Sequence, residues 1–500
     1  WDLDWDPTGW YETSARPPHG ENYYQFFNAT YNELYNNYKN EFNYTIRIPY
    51  AHQMQAILYE DLPTIGILYS GALYGFRKSL SGVDELLLYN VEHRTETWDD
   101  SADHKINIGI PFNLQGYHIF QADNYVDMTW MRPIYGGLFQ RGQTHHQWEP
   151  VIAKNYTITP MAYPGEINIT VFLDPNAKFS DGNYVLPEDV KYTYELHMDT
   201  LVSSNFRDSI TDWLYTDGNI HIKNNVPGGQ LNFIVKNTTQ HPLSFLKFGI
   251  IDKSEVEPLV LAHGYSIFWD APGTGNAGWS LVKSCGPFKV YDGGTPSDGI
   301  DFVSSVVNLV PNVFWNNNTV SGGLQPFLTN LNLTFIGNPS TAFAELLLGN
   351  IDIMDYAYDL DPVIFEGHAD IAGVVTKTPV HQELSINMRH PILGTGELTP
   401  LGTAEAAKKI RQAISHAIPR QTIIDDILNG TAFPGIISTP DCTIEFNDAL
   451  QPYTYDISLA LLLMEQAGYI HIISEYNEFS IILIVVFGVV SIYSIRKIRK

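Results

Sequence analysis

The sequence predicts mixed α/β lobes followed by a single membrane-spanning helix. Three observations carry that prediction: a length of 500 residues, short apolar strands alternating with turns and amphipathic helices, and an uncharged apolar run near the C-terminus. Such a length is several times that of one ordinary domain, enough for one large core or two lobes. Lys plus Arg number 29 against 55 Asp plus Glu, a net charge of −26 that argues against nucleic acid as a partner. With 17% charged and 44% hydrophobic residues, the chain is neither a disordered acidic tail nor a many-span membrane protein. The 10 Trp, 30 Tyr and 25 Phe suit a ligand site of flat amphipathic faces, and equally a large core.

The elements follow in order. Residues 1–50 are rich in Tyr, Asn and Trp, and residues 51–70 read as a helix running into Pro63 and then a short apolar strand. Residues 93–106 are polar and read as a connector. From 107 onward, short strands alternate with turns such as Ser180-Asp181-Gly182 and Asp292-Gly293-Gly294. Asp189–Met198 has helical spacing, started by Pro187-Glu188-Asp189. Thr403–Leu428 predicts two helices, the second after Pro419, and Ile457–Gln466 a further helix closed by Gly468.

From Phe479 to Ile495 no charge occurs, and Arg496, Lys497, Arg499 and Lys500 follow. This length predicts a membrane span with its cations in the cytoplasm and the rest of the chain outside the cell. Asn-x-Thr sequons at Asn28, Asn43, Asn155, Asn168, Asn237, Asn317, Asn332 and Asn429 agree with an extracellular, glycosylated surface. Cys285 and Cys442, the only cysteines, are either one long-range disulfide or two buried thiols.

Six stretches in order resemble the extracellular solute-binding proteins of ABC importers, peptide- and nickel-binding class (family 5). Phe179-Ser180-Asp181-Gly182 with Leu186-Pro187-Glu188-Asp189-Val190 resembles "F-x-D-G … T-A-E-D-V", and Cys285-Gly286-Pro287-Phe288 resembles "T-G-P-Y", read as a hinge strand. Phe314-Trp315 resembles "N-x-x-Y-W", and Leu348-Gly349-Asn350-Ile351-Asp352 resembles "G-E-I-D". Ile410-Arg411-Gln412-Ala413 with His416-Ala417-Ile418-Pro419-Arg420 resembles "V-R-Q-A … A-I-D-R", with Pro419 in place of the Asp. Tyr453-Thr454-Tyr455-Asp456 through Glu465-Gln466-Ala467-Gly468-Tyr469 resembles "Y-D-P-E-K-A … E-A-G-Y".

The family's tail, with its "G-W" cleft strand and returning helix, is resembled instead by Leu3–Trp10 and Ile57–Pro63, ahead of the body. A circular permutation, a fragment of a longer precursor, and exchange of the tail between neighbours all fit that order. The resemblance implies a two-lobed periplasmic-binding-protein-like fold of the class with an extra subdomain. It gives residues 1–100 as the displaced tail, 101–285 as the first lobe and 286–470 as the second. A stalk at 471–478, the membrane helix at 479–495 and a cytoplasmic basic tail at 496–500 complete the chain.

The resemblance also implies peptide or oligosaccharide capture by lobes closing about a hinge, with an ABC permease as partner and no cofactor. Relatives pair a carboxylate near the "G-W" strand with the ligand's ammonium; the matching position here is Thr13, so Asp6 and Glu12 are the candidates, flanked by Trp10 and Tyr11. Arg389 is a candidate for a ligand carboxylate. No G-x-S-x-G, H-E-x-x-H, P-loop or Cys-x-x-Cys occurs, so no enzyme is expected. His145-His146 and the Asp99, Asp100, Asp103 group read as solvated surface, not metal ligands. The C-terminal anchor looks archaeal in type. The alternative function is a surface-layer subunit that reuses the fold and self-associates in a lattice.

Overall fold

The computed structural model describes residues 3–18, 20–116, 118–122, 125–143, 145–163, 165–214, 220–238, 240–269, 283–294, 296–315 and 326–469. The chain is mixed α/β and divides into two compact units, one of the residues before Ala72 and after Thr376, the other Ala72–Thr376. It passes from one to the other inside the strand Thr64–Arg77 and again inside the strand Ile371–Ser385.

In the unit Ala72–Thr376, the strand Lys105–Ile110 runs parallel to Asn330–Phe335 on one side and to Ile353–Met354 on the other. Val306–Pro311 then pairs antiparallel with Asn330–Phe335, and Phe288–Val290 with Val306–Pro311. Ile106, Ile108, Ile110, Leu331 and Leu333 are buried in one apolar core with Phe120, Trp130 and Phe268. A separate four-stranded antiparallel sheet orders Ala153–Pro160, Glu166–Leu173, Gln230–Lys236 and Ile220–Ile222. Its alternation is regular, with Ile167, Ile169, Val171 and Leu173 buried on one face. The helix Pro187–Met198 starts as the sequence predicts: Asp189 accepts from the N–H of Leu186 at 2.7 Å.

In the other unit, Asn28 and Asn43 cap the helices Ala29–Lys39 and Tyr44–Asp61 by accepting from the N–H of Tyr31 and of Thr45. Their joint core is aromatic: Tyr31, Tyr35 and Tyr38 pack with Trp5, Tyr11, Tyr24 and Phe26. Thr403 caps Ala404–His416, whose Ala406, Ile410 and Ala413 meet Ala467, Ala460 and Leu463 at the helix Ile457–Gln466. Gly468, at φ +92°, follows that last helix.

Several expectations change. Residues 286–376 belong with 101–285, because Asn330–Phe335 and Ile353–Met354 flank Lys105–Ile110 in one sheet; the expected lobe boundary at 285/286 is replaced by crossings at 71/72 and 376/377. The strand after Pro63 is not short but runs through Arg77. The stretch 93–106 is no solvated connector, since His93, Arg94, Thr95, Glu96, Trp98 and Asp100 are buried. Gly286 answers a close approach: a Cβ there would lie 2.4 Å from the carbonyl oxygen of Pro133.

Cys285 and Cys442 are not bridged; both are free and buried. The Cys285 thiol donates to the carbonyls of Ile250 (3.1 Å) and Gly136 (3.4 Å), and burial pushes both thiols up to about 12. Of the sequons, Asn43, Asn155 and Asn429 are exposed, whereas Asn28, Asn168, Asn237 and Asn332 are half-buried. Asn332 sits within its strand with its amide donating to Asn107 at 2.8 Å, so it does not face solvent freely as the sequon reading requires. Asn317 and the expected membrane span 479–495 lie outside the described residues. No helix among the described residues is long and apolar enough to cross a membrane.

Three histidines in the unit Ala72–Thr376 are buried and held neutral, with His93, His118 and His197 each lowered to about 3, chiefly by burial. Their unfolded forms take up protons below about 6.5 while the folded forms do not, so folding stability falls with pH from 6.5 toward 3. Each contributes up to about 1.4 kcal/mol per pH unit in that window. Asp189, Asp352 and Asp355, raised to about 6 by burial, act oppositely between 3.8 and 6. His118→Phe, which preserves the stack on Phe120 (4.9 Å between ring centroids), is expected to flatten the acid loss in urea melts across this range.

Candidate functional site

Within the unit formed by the chain before Ala72 and after Thr376, a shallow depression open to solvent is lined by Asp4, Trp5, Asp6, Pro7, Trp10, Tyr11, Pro379, His381, Ser438, Pro440 and Thr443. Three segments build it: the N-terminal stretch, the strand Ile371–Ser385, and the loop after the strand Ala432–Pro434.

The N-terminal wall is a turn held by its own carboxylates. Asp6 accepts from the N–H of Thr8 at 3.0 Å, and Gly9 adopts φ +80°. The Gly9 N–H donates to Glu12 at 2.8 Å. That bond turns Glu12 into the turn and away from the depression, whereas Asp6, Trp10 and Tyr11 line it. Arg389 is exposed, lies beyond the end of its strand and lines no part of the depression.

The loop wall is fixed from below by Tyr69. Its hydroxyl accepts from the N–H groups of Ile436 and Ile437, each at 3.1 Å, and donates toward the carbonyl of Thr439 at 2.9 Å. Gly435 is needed there, because a Cβ would lie 2.7 Å from the Ile67 backbone. Lys377 binds Asp441 at 2.8 Å, and the Tyr11 hydroxyl is hydrogen-bonded to Ser438 across the depression.

Behind Tyr11, stacked at 5.0 Å, lies Tyr24, which donates to Glu383 at 2.8 Å; His381 approaches the other Glu383 oxygen at 3.5 Å. Burial, reinforced by the Glu383 charge, holds the Tyr11 phenol well above its ordinary value, so it stays a neutral donor. Asp4 is buried and accepts from Tyr44 at 3.0 Å. Two carboxylates, an imidazole and aromatic faces can together hold a cationic or amide-bearing ligand.

Sequence reasoning missed His381, Ser438 and the loop Pro440–Thr443. Of the lining residues not named as candidates, Asp4, Trp5 and Pro7 had a signal, lying within the stretch that resembles a cleft strand. The Glu12 and Arg389 candidates are not brought to the depression.

Below the site a buried ion pair joins the N-terminal segment to the loop. Arg47 Nε lies 3.4 Å from Glu445, and both side chains are fully buried. Glu445 also accepts from the Trp5 N–H at 2.9 Å, while Arg47 covers the Tyr38 ring at 3.7 Å and donates to the carbonyls of Tyr38 and Glu41.

Residues 149–477 match the family model described as bacterial extracellular solute-binding proteins, family 5 middle. The chain is 26% identical over 144 residues to heme-binding protein A of Haemophilus influenzae, covering 28% of this chain and 24% of that protein. It is 28% identical over 153 residues to the dipeptide-binding protein of Escherichia coli, covering 29% and 25%. The matches thus span about a quarter of the length of these curated relatives. Among solved structures, the periplasmic murein tripeptide binding protein MppA, unliganded and open, aligns with a TM-score of 0.45 at 17% identity, covering 74% of this chain and 67% of that one. NikZ from Campylobacter jejuni in complex with Ni(L-His) aligns with a TM-score of 0.42 at 18% identity, covering 75% and 64%.

Removing one partner of the buried pair leaves an uncompensated charge. Glu445→Ala is expected to lower the unfolding free energy by about 3–5 kcal/mol in a urea melt, whereas the double replacement Arg47→Met with Glu445→Leu costs much less.

Proposed function

The chain belongs to the bacterial extracellular solute-binding proteins of family 5, and on that premise we propose that it captures peptides or similar oligomers outside the cell for an ABC importer. The observation that carries this reading is the family match over 149–477, about two thirds of the chain. The depression lined by Asp6, Trp10, Tyr11 and His381 supports a peptide ligand: Asp6 would pair with an α-ammonium, and the aromatic rings would flank the chain that follows. The Escherichia coli relative, by its name, binds dipeptides.

Residues 1–100 are proposed to do the work of the family's tail within their own chain, a reading supported by residues 3–71 sharing a unit with 377–469. The apolar segment 479–495 with its following cations is proposed as a membrane anchor, and the exposed sequons at Asn43, Asn155 and Asn429 as glycan sites. The second reading, a surface-layer subunit, rests on the net charge of −26 and the sequons.

Mass spectrometry of what natively purified protein releases on denaturation separates the two. Short peptides are expected; an empty protein eluting as large assemblies would favour the lattice instead. With a bound peptide identified, Asp6→Asn is expected to weaken it by about 1.5–3 kcal/mol in calorimetry and to abolish the preference for a free over an N-acetylated amino terminus. An unchanged preference would remove Asp6 from the site.

A further inference from the structure

We propose that Arg16 and Arg389, with the exposed rings of Tyr23 and Phe27, form a docking patch for an acidic polypeptide segment, one that bears carboxylates beside apolar side chains. The first argument is charge. Arg389 is exposed, and among the described residues its side chain meets no carboxylate and no other acceptor. The hydrogen bonds of Arg16 go to backbone carbonyls alone: Nε donates to Phe26 at 3.2 Å, and Nη2 to Phe26 and Gln25, each at 3.0 Å. Its Nη1 meets no acceptor among the described residues. Both cations border one segment, because the Met388 N–H donates to the carbonyl of Tyr24 at 2.7 Å. Burial and the Arg389 charge lower the Arg16 guanidinium from its ordinary value. In a chain with 55 Asp plus Glu, this pair of like charges has no carboxylate of its own among the described residues.

The second argument is rigidity. Asn22, fully buried, holds the segment from inside: its amide donates to the carbonyls of Tyr11 (3.2 Å) and Glu12 (3.1 Å) and accepts from the Phe26 N–H at 3.0 Å. Gln25 is kept at φ +57°, a left-handed conformation that costs a non-glycine residue. The turn leaves Tyr23 68% and Phe27 61% exposed, with the Phe27 ring centroid 5.5 Å from Arg16 Cζ. A guanidinium tied along one edge and open along the other is set for a carboxylate before any partner arrives.

The third argument picks the occupant. Arginine beside aromatic rings is the composition of the energetic centres of protein–protein contacts, where rings supply area and the guanidinium supplies orientation. A small free anion engages the charges and leaves both rings in water. An anionic lipid surface is fluid, makes no use of a fixed fork, and is repelled by a chain of net charge −26. A polypeptide carrying carboxylates beside apolar side chains engages all four residues. None of the four lines the depression beside Asp6, so the patch is separate from the proposed peptide site.

The test is fluorescence anisotropy of the full chain with a labelled peptide of about eight residues alternating Glu and Leu, capped at both ends so that it offers no α-ammonium to Asp6. Saturable binding is expected, weakening as salt rises, and about tenfold or more tighter than that of the counterpart with Gln for Glu. Arg389→Glu is expected to weaken the acidic peptide by about tenfold or more. The same variant sets opposite charges beside each other in place of like ones, so its urea midpoint is expected to be unchanged or raised. A lowered midpoint would make Arg389 a residue of the fold and overturn the proposal. So would absence of saturable binding, equal binding of the Gln peptide, or Arg389-dependent binding to phosphatidylglycerol vesicles in place of the peptide.

Discussion

The unit that carries the candidate ligand site depends on one ion pair that water never reaches. Arg47 and Glu445 are both fully buried, so each would be prohibitively costly without the other and without further hydrogen bonds. Those bonds recruit the surroundings. The Trp5 N–H, the Tyr38 ring and the carbonyls of Tyr38 and Glu41 all close on the pair. Gln55 adds a bond of 2.8 Å to the Glu445 carbonyl. The N-terminal segment, both N-terminal helices and the loop ending at Glu445 are thereby fixed to one another, and the depression is bounded by two of these.

Aromatic residues serve structure and site together here. Tyr11 belongs to the core of the two N-terminal helices, packing against Tyr24, Phe26 and Tyr31, yet it also lines the depression. Tyr69 does comparable work beneath, where one phenol oxygen organises the backbone of three loop residues. Rings with polar tips can be locked by packing while their hydroxyls stay directed. A site made this way is preorganised by the same contacts that stabilise the fold.

What was legible in the sequence was local. Pro187, Pro419, Thr403 and Gly468 mark helix ends because capping is decided within a few residues, and those helices stand where their signals lie. The division into units was not legible. It turns on parallel pairing of Asn330–Phe335 with Lys105–Ile110, strands more than two hundred residues apart whose partnership leaves no local mark. Asp6, Trp10 and Tyr11 were reached through a resemblance, and Glu12 was lost to a need the sequence hides, an acceptor for the Gly9 N–H. His381 lies in a long strand with nothing to distinguish it from a surface histidine. Glu445 did leave a trace, a lone acid between Ile444 and Phe446.

The double passage of the chain between its units has a consequence for synthesis. Residues 72–376 emerge from the ribosome complete, with every strand of their central ladder from Lys105 to Met354 in hand. The first seventy residues have no such independence. Arg47 must wait for Glu445, 398 positions later, which at ordinary translation rates is on the order of 20 to 80 seconds. During that interval an aromatic-rich, uncompleted segment hangs on a finished neighbour, and holding it apart from other nascent chains falls to whatever chaperones or translocation machinery receive it.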